Sequence, residues 1–156
     1  MANRYPLVLD GTTIEELQSG DAVAGLVIGT DVQAYDADTA KTDVAQSFTA
    51  AQRGAIVTLT DGATVTPDFS LGNNFTLTLG GNRTLANPSN LTAGQSGSIF
   101  LVQDGTGSRT LAYGSQYDFI GGTAPTLSTG ANAVDRIDYV VRTTGSIHCV
   151  FTANYS

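Results

Sequence analysis

The sequence predicts an all-β protein, an antiparallel β-sandwich of the jelly-roll type with about eight strands and an extended N-terminal arm. Apolar residues alternate with Thr and other polar residues over several short segments, which is typical of half-buried strands. Turns that contain Gly separate these segments, and the 156-residue chain holds 18 Gly. A chain of this length buries roughly 68–70% of its unfolded surface, so it needs no disulfide or metal to hold a core.

The first third of the chain differs from the rest in charge and in pattern. Residues 1–50 hold eight acidic and two basic residues, whereas residues 51–156 hold six acids and five arginines. Residues 1–50 also lack a sustained strand or helix period, apart from a capping box between Thr12-Thr13 and Glu15-Glu16 that fits either one helical turn or a chance match. We therefore predict an attachment arm and linker over residues 1–50 and a β-sandwich over residues 51–156.

The β part begins with two predicted strands, Ala55–Thr60 and the short Thr64–Thr66, around a turn that contains Gly. A predicted hairpin follows. Its first strand, Phe75–Leu79, places three large apolar side chains on one face, and Thr84–Ala86 resumes the strand pattern after Gly80-Gly81-Asn82. Gly and Asn tolerate the positive φ angles of tight hairpin turns, which favours antiparallel pairing of these two strands.

The second predicted hairpin joins Ser98–Gln103 to Arg109–Tyr113 through the loop Asp104–Ser108. Its first strand is apolar on both faces, and such a strand must be covered on both sides, either inside the sandwich or by a neighbouring subunit. The candidate subunit interface comprises Ile99, Phe100, Leu101 and Val102.

The third predicted hairpin joins Arg136–Arg142 to Ile147–Thr152. Alternate residues of both strands point one way, and the apolar set consists of Ile137, Tyr139, Val141, Ile147, Cys149 and Phe151. His148 and Cys149 are the only His and Cys of the chain. Because adjacent strand residues face opposite ways, they do not form a nucleophile–base pair, and alone they do not make a zinc site. We predict no catalytic residue, no metal site and no cofactor.

Carboxylates and aromatic residues supply the remaining candidates for chemistry. The carboxylates available for a glycosidase pair are Asp104, Asp118, Asp135 and Asp138, at separations that the sequence does not show. Asp138 lies on the polar face of its strand, where we predict pairing with a neighbouring Arg. The aromatic loop cluster of Tyr113, Tyr117 and Phe119 is a candidate glycan-binding loop, although the absence of Trp favours packing of this loop onto the sandwich.

Composition argues against two classes of partner. Lys occurs once and acids outnumber basic residues 14 to 7, which leaves no basic stripe for nucleic acid. No run approaches the roughly 18 apolar residues of a membrane span. We therefore expect neither a nucleic-acid nor a membrane partner.

Two groups of segments resemble a known protein class. Met1–Asp10 and Ile14–Asp21 resemble the N-terminal segment of virion structural and tail-fibre proteins of tailed phages, cyanophages among them. Thr30–Asp38, Phe48–Gly54 and Leu85–Gly97 are similar to a β module that recurs in such proteins. The resemblance covers most of the chain. It implies a virion protein with no catalytic residues, made in the host bacterial cytoplasm, exposed on the particle surface and commonly a homotrimer.

The resemblance further implies that the N-terminal segment attaches the protein to the particle. Alternate residues at its start would suit a strand added to a partner surface. The arm residues concerned are Arg4, Tyr5, Leu7, Leu9, Ile14 and Leu17. Since the chain stops after one β module, we expect a capsid decoration, or cement, protein that binds the major capsid protein or another virion protein. The alternative is a short tail fibre or adaptor that binds a host glycan.

Overall fold

The structure, a computed structural model, describes residues Leu7–Asp10, Thr13–Glu16 and 51–155. The chain divides into two units, Met1–Thr49 and Ala50–Ser156. The second unit contains the predicted β part.

The described residues of the first unit form a short antiparallel hairpin. Strand β1 (Leu7–Asp10) pairs with β2 (Thr13–Glu16), and Leu9 lies opposite Ile14. The interpretation of Thr13–Glu16 as part of a helical turn is therefore wrong. A local pairing partner is available to this segment, and strand pairing satisfies backbone groups that one isolated helical turn would leave exposed. The predicted arm residues Arg4, Tyr5 and Leu17 lie outside the described residues.

The second unit contains nine strands and two short 3-10 segments among its described residues. The strands are β3 (Ile56–Thr58), β4 (Thr64–Val65), β5 (Asn74–Leu79), β6 (Arg83–Leu85), β7 (Ser96–Gln103), β8 (Leu111–Tyr113), β9 (Tyr117–Phe119), β10 (Val134–Thr143) and β11 (Ser146–Thr152). The 3-10 segments are Phe69–Leu71 and Ile120–Gly122. Over the ranges described, no helix is long and apolar enough to cross a membrane.

These strands form two sheets. The six-stranded sheet has the order β3-β5-β7-β10-β11-β9, and the three-stranded sheet has the order β4-β6-β8. From β3 to β8, consecutive strands alternate between the two sheets, so the chain forms three flattened, solenoid-like turns. These six strands and the segments that join them are called here the coil. Strands of successive turns run in the same direction, and their pairing within each sheet is parallel.

The prediction of an all-β, two-sheet domain is confirmed, but two predicted hairpins are wrong. The segment after Phe75–Leu79 and the segment after Ser98–Gln103 each enter the other sheet instead of pairing with their predecessor. The early strands near Ile56 and Thr64 also lie in different sheets. Alternation reports which face of a strand is buried and is the same for parallel and antiparallel neighbours. The six-stranded sheet contains both parallel and antiparallel pairs, so it is mixed and not purely antiparallel.

The third predicted hairpin is confirmed. Strands β10 and β11 pair antiparallel, with Tyr139 opposite Cys149 and Val141 opposite Ile147. The other edge of β10 pairs antiparallel with β7, while β9 joins β11 in parallel at the edge of the sheet.

Both sheets bury side chains in a single hydrophobic core. Val65 and Leu85 of the three-stranded sheet belong to the same cluster as Phe75 and Ile99 of the six-stranded sheet. The inward residues Phe75, Leu77 and Leu79 are completely buried, as the alternation predicts. Burial of each such side chain is worth roughly 1.5–3 kcal/mol, so this shared core holds the two sheets together.

Candidate functional site

The outward side of strands β9, β11 and β10 forms an open groove of about 540 Å³, called here the outer groove. Its outward-facing lining consists of Asp118, Ile120, Asp138, Val140, His148 and Val150. The register explains this grouping, because His148 lies opposite both Asp118 and Val140, and Val150 lies opposite Asp138. Residues opposite one another across a ladder share a face.

The aliphatic side chains of the outer groove are unusually exposed for their type. Ile120 is 81% exposed, and Val140 and Val150 are each 50% exposed. On the same face, β7 adds Phe100 and Val102, which are half-buried. Exposed aliphatic side chains clustered in one groove mark an interaction site more often than a bare solvent face.

Polar groups flank the aliphatic surface and are held by short hydrogen bonds. The Asp138 carboxylate accepts hydrogen bonds from the Ser98 hydroxyl at 2.6 Å and from Arg136 Nε at 3.0 Å. Arg136 Nη2 also pairs with it at 2.8 Å, so the predicted pairing of Asp138 with a neighbouring Arg is confirmed. On β9, the Asp118 carboxylate accepts a hydrogen bond from the Ser146 hydroxyl at 2.5 Å.

His148 and Cys149 lie on opposite faces of β11, as the alternation predicts. His148 is exposed in the outer groove, whereas Cys149 is 2% exposed and belongs to the core. Burial, together with the nearby charge of Asp118, raises the pKa of the Cys149 thiol to about 12. A thiol in that state is a poor nucleophile. Among the described residues, no group of three or more His, Cys, Asp or Glu side chains is arranged to hold a metal ion.

The remaining candidate carboxylates have structural partners. Arg109 forms an ion pair with Asp104, with 2.7 Å between Nη2 and Oδ2. Because of this pair, the pKa of Asp104 is lowered to about 2. Asp135 is 1% exposed and accepts backbone N–H groups of Ser128 and Asn154 at 2.8 and 2.9 Å. Both carboxylates organise loops, and Asp135 also lacks the exposure that a substrate would need.

The predicted aromatic cluster packs inward. Tyr117 is buried, Tyr113 and Phe119 are half-buried, and the Tyr113 ring lies edge-on to Phe119 with the ring centroids 4.8 Å apart. The Tyr117 hydroxyl donates a hydrogen bond to the Ala86 carbonyl oxygen at 3.2 Å. Burial raises the pKa of both tyrosines well above its ordinary value. This arrangement favours the packing interpretation, and a glycan role for these residues stays a prediction.

The candidate subunit interface divides between two environments. Ile99 and Leu101 lie in the core, whereas Phe100 and Val102 face outward beside the outer groove. Val140 and Val150 were not predicted as part of this face. The sequence did contain a signal for them, because both are apolar residues at outward positions of the predicted third hairpin, where the alternation predicts polar residues.

A comparison with protein families identifies a relative of this β part. The family described as "Putative phage tail fibre C-terminal domain" matches residues 65–146, which is more than half of the chain. The matched range runs from strand β4 to the first residue of β11. No curated protein and no solved structure matches the chain.

Proposed function

The chain belongs to the phage tail fibre C-terminal domain family, and from this we infer that it serves as a non-enzymatic structural protein of a phage tail, a short tail fibre or an adaptor. The observation that carries this proposal is the extent of the match, which includes strands of both sheets. The fold alone would not assign a function, but membership of a family of virion components limits the function to a role in the phage particle.

The match favours a tail position over the capsid position that was expected because the chain holds one β module. The family is described by the tail fibre, and capsid decoration has no comparable support. A cyanophage source likewise rests on the resemblance alone. We therefore place the protein on the tail surface and keep the cement function as the outcome that would contradict this placement.

The β part suits a mechanical role. Its turns are held by ion pairs between Arg83 and Asp61 and between Arg109 and Asp104, each with a closest approach of 2.7 Å. Its two sheets share one core, so the domain resists deformation as a unit. In this proposal the domain presents a rigid surface to its partners, and its function is to bind them and not to catalyse a reaction.

We assign attachment to residues 1–50, with Leu7, Leu9 and Ile14 among the contacts and another virion protein as the partner. Two observations support this assignment. Leu7 and Leu9 occupy alternate positions of β1, and residues 1–50 hold most of the negative charge of the chain. A strongly acidic segment suits a partner surface with basic residues.

Purified particles test the tail position. Tails and capsids are separated, and the chain is quantified in each fraction by mass spectrometry against the major capsid protein. We expect the chain in the tail fraction at a low, fixed number of copies. Copies that follow the capsid fraction in proportion to the major capsid protein would instead establish capsid decoration and overturn the proposal.

A further inference from the structure

We propose that the open edge of strand β3 receives an extended segment of another virion protein, which pairs with β3 as an added strand. This inference rests on the proposed function for the identity of the partner as a virion protein. It extends the attachment surface beyond residues 1–50 to the first strand of the β part.

The first supporting observation is the direction of the β3 backbone groups. The Leu59 N–H donates to the Thr76 carbonyl oxygen at 2.8 Å, so the odd-numbered residues of this segment direct their backbone groups towards β5. Successive strand residues point these groups to opposite edges. Ile56 and Thr58 therefore direct their N–H and C=O groups away from β5, and no described strand pairs with that edge. A strand from a partner would satisfy these groups.

The second observation is an unfinished row of the hydrophobic core. Val57, Phe75 and Ile99 lie opposite one another in the register of β3, β5 and β7, and all three pack into the core. Phe75 and Ile99 are completely buried, whereas Val57 at the end of the row is only half-buried. A neighbouring strand would complete the burial of Val57. In the other sheet, the inward residue of the first strand, Val65, is already buried.

The third observation is the exposed aliphatic surface beside this edge. Ile56 is 56% exposed and Leu71 is 63% exposed. Gly72, which follows Leu71, packs against β3, since a Cβ atom there would lie 3.2 Å from Val57 Cγ2. Natural proteins protect open edges with charged residues or Pro, and repeat proteins give their terminal turns a polar outer face. Residues 54–60 hold neither a charge nor a Pro, so this edge is available for pairing.

The fourth observation is the place of β3 in the sequence. The family match begins at residue 65, so β3 precedes the matched range and shortly follows residues 1–50, which are assigned to attachment. An edge at this position can bind the same partner as residues 1–50. Two linked contacts with one partner bind more tightly than either contact alone, which compensates for the short length of β3.

These observations define the chemistry of the partner segment. The segment is extended, and its residue opposite Val57 faces the core and is aliphatic. The two residues that flank it lie on the outward side beside Ile56 and Thr58. A glycan is a weaker occupant, because it offers hydroxyl groups but no apolar side chain to complete the core row.

Hydrogen exchange tests the inference, measured by mass spectrometry on the full-length chain alone and on purified tails. We expect the amides of Ile56 and Thr58 to exchange rapidly in the isolated chain and at least about tenfold more slowly in tails, because the added strand accepts their hydrogen bonds. Peptides that contain Thr64–Val65, the open edge strand of the other sheet, are the internal control. Their exchange should be the same in both samples.

Equal exchange of the β3 amides in the two samples would overturn the inference. If exchange is rapid in both samples, the edge stays unpaired on the particle. If exchange is slow in both samples, the chain itself or a second copy covers the edge, and dilution of the isolated chain distinguishes these two cases.

Competition for assembly tests the same contact with variants. Phage are grown with wild-type and variant chains together, and the share of each in purified tails is measured. Ile56→Asp places a charge beside the open edge, and Thr64→Asp on β4 is the matched control. We expect Ile56→Asp to be depleted in tails at least about fivefold relative to its share of the total chain, and the control to show no depletion.

A proline variant tests the backbone contact separately. Thr58→Pro removes an outward N–H and leaves the hydrogen bonds between β3 and β5 in place, so we expect the same depletion in tails. Circular dichroism verifies that each variant is folded. Incorporation of both β3 variants at the level of the Thr64→Asp control would overturn the inference.

The outcome is separable from the tail position. A chain that is found on purified tails while its β3 amides exchange rapidly there removes only the inference about the edge. A chain that is found on capsids, with its β3 amides protected there, removes only the tail position.

Discussion

The coil of strands β3–β8 and the hairpin β10–β11 are built on different kinds of contact. In the coil, pairing joins residues that are distant in sequence, such as Phe75 with Ile99 and Thr84 with Ala112. In the hairpin, Val141 pairs with Ile147 across a short turn. The coil supplies about half of the buried core, and the hairpin lines the outer groove, while Ile56 and Leu71 of the coil are also exposed. The comparison separates a part joined by long-range parallel pairing from a part joined by local antiparallel pairing, and the outer groove lies on the second part.

The largest expected effect comes from deleting a core side chain of the coil. Phe75 is completely buried and stacks on Phe69 with the ring centroids 5.2 Å apart. We expect Phe75→Ala to lower the free energy of unfolding by about 3–5 kcal/mol, because it removes apolar contact and leaves a cavity. Val150→Ala in the hairpin should change it by less than about 0.5 kcal/mol.

Chemical denaturation of the two variants measures this contrast. Equal losses of stability would show that the hairpin face is as important to the isolated fold as the core of the coil. That result would break the comparison.

A smaller loss of stability is expected at the close approach between strand β7 and the backbone just before β5. A Cβ atom at Gly97, on β7, would overlap the carbonyl oxygen of Asn73. The same oxygen accepts a hydrogen bond from the Tyr139 hydroxyl at 2.8 Å, which ties the coil to the hairpin. We expect Gly97→Ala to cost about 1–3 kcal/mol through overpacking.

Gly105→Ala is the matched control, because a Cβ there meets nothing within 4 Å. Its stability should stay within about 0.5 kcal/mol of the wild type. If both alanine variants were equally stable in thermal unfolding, the close approach at Gly97 would not be limiting.

The smallest expected effect concerns the loop that follows β7. Arg109 lowers the pKa of Asp104 from its ordinary value of 3.8 to about 2. A carboxyl group with a lowered folded-state pKa stabilises the fold above its unfolded pKa, and this contribution is lost as pH falls toward 2. We expect Asp104→Asn to be less stable than the wild type at pH 7 and the difference to shrink between pH 4 and pH 2.

Unfolding curves recorded over this pH range, at low and high salt, measure the effect. A difference between the two proteins that stays constant with pH would show that the Asp104 charge is not what the loop uses. The pair is partly exposed, so added salt should reduce the difference.

The candidate site was only partly accessible to sequence reasoning. The inward and outward positions of His148 and Cys149 were predicted correctly, since they follow from alternation within one strand. The division of Ile99–Val102 between core and surface follows the same rule. The sequence did not indicate which strands lie beside Phe100 and Val102 on the outward face. The outer groove itself depends on β9 joining β11, a contact that no local pattern indicates.

The sequence by itself determined that the chain is rich in strands, which residues of each strand are buried, and that β10 and β11 form a hairpin. These properties depend on side-chain alternation and on local turns, both of which act over a few residues. Only the tertiary structure decided that the earlier strands wind between two sheets and pair in parallel. Parallel and antiparallel neighbours demand the same alternation, so the choice is made by the shared core that all the strands bury together.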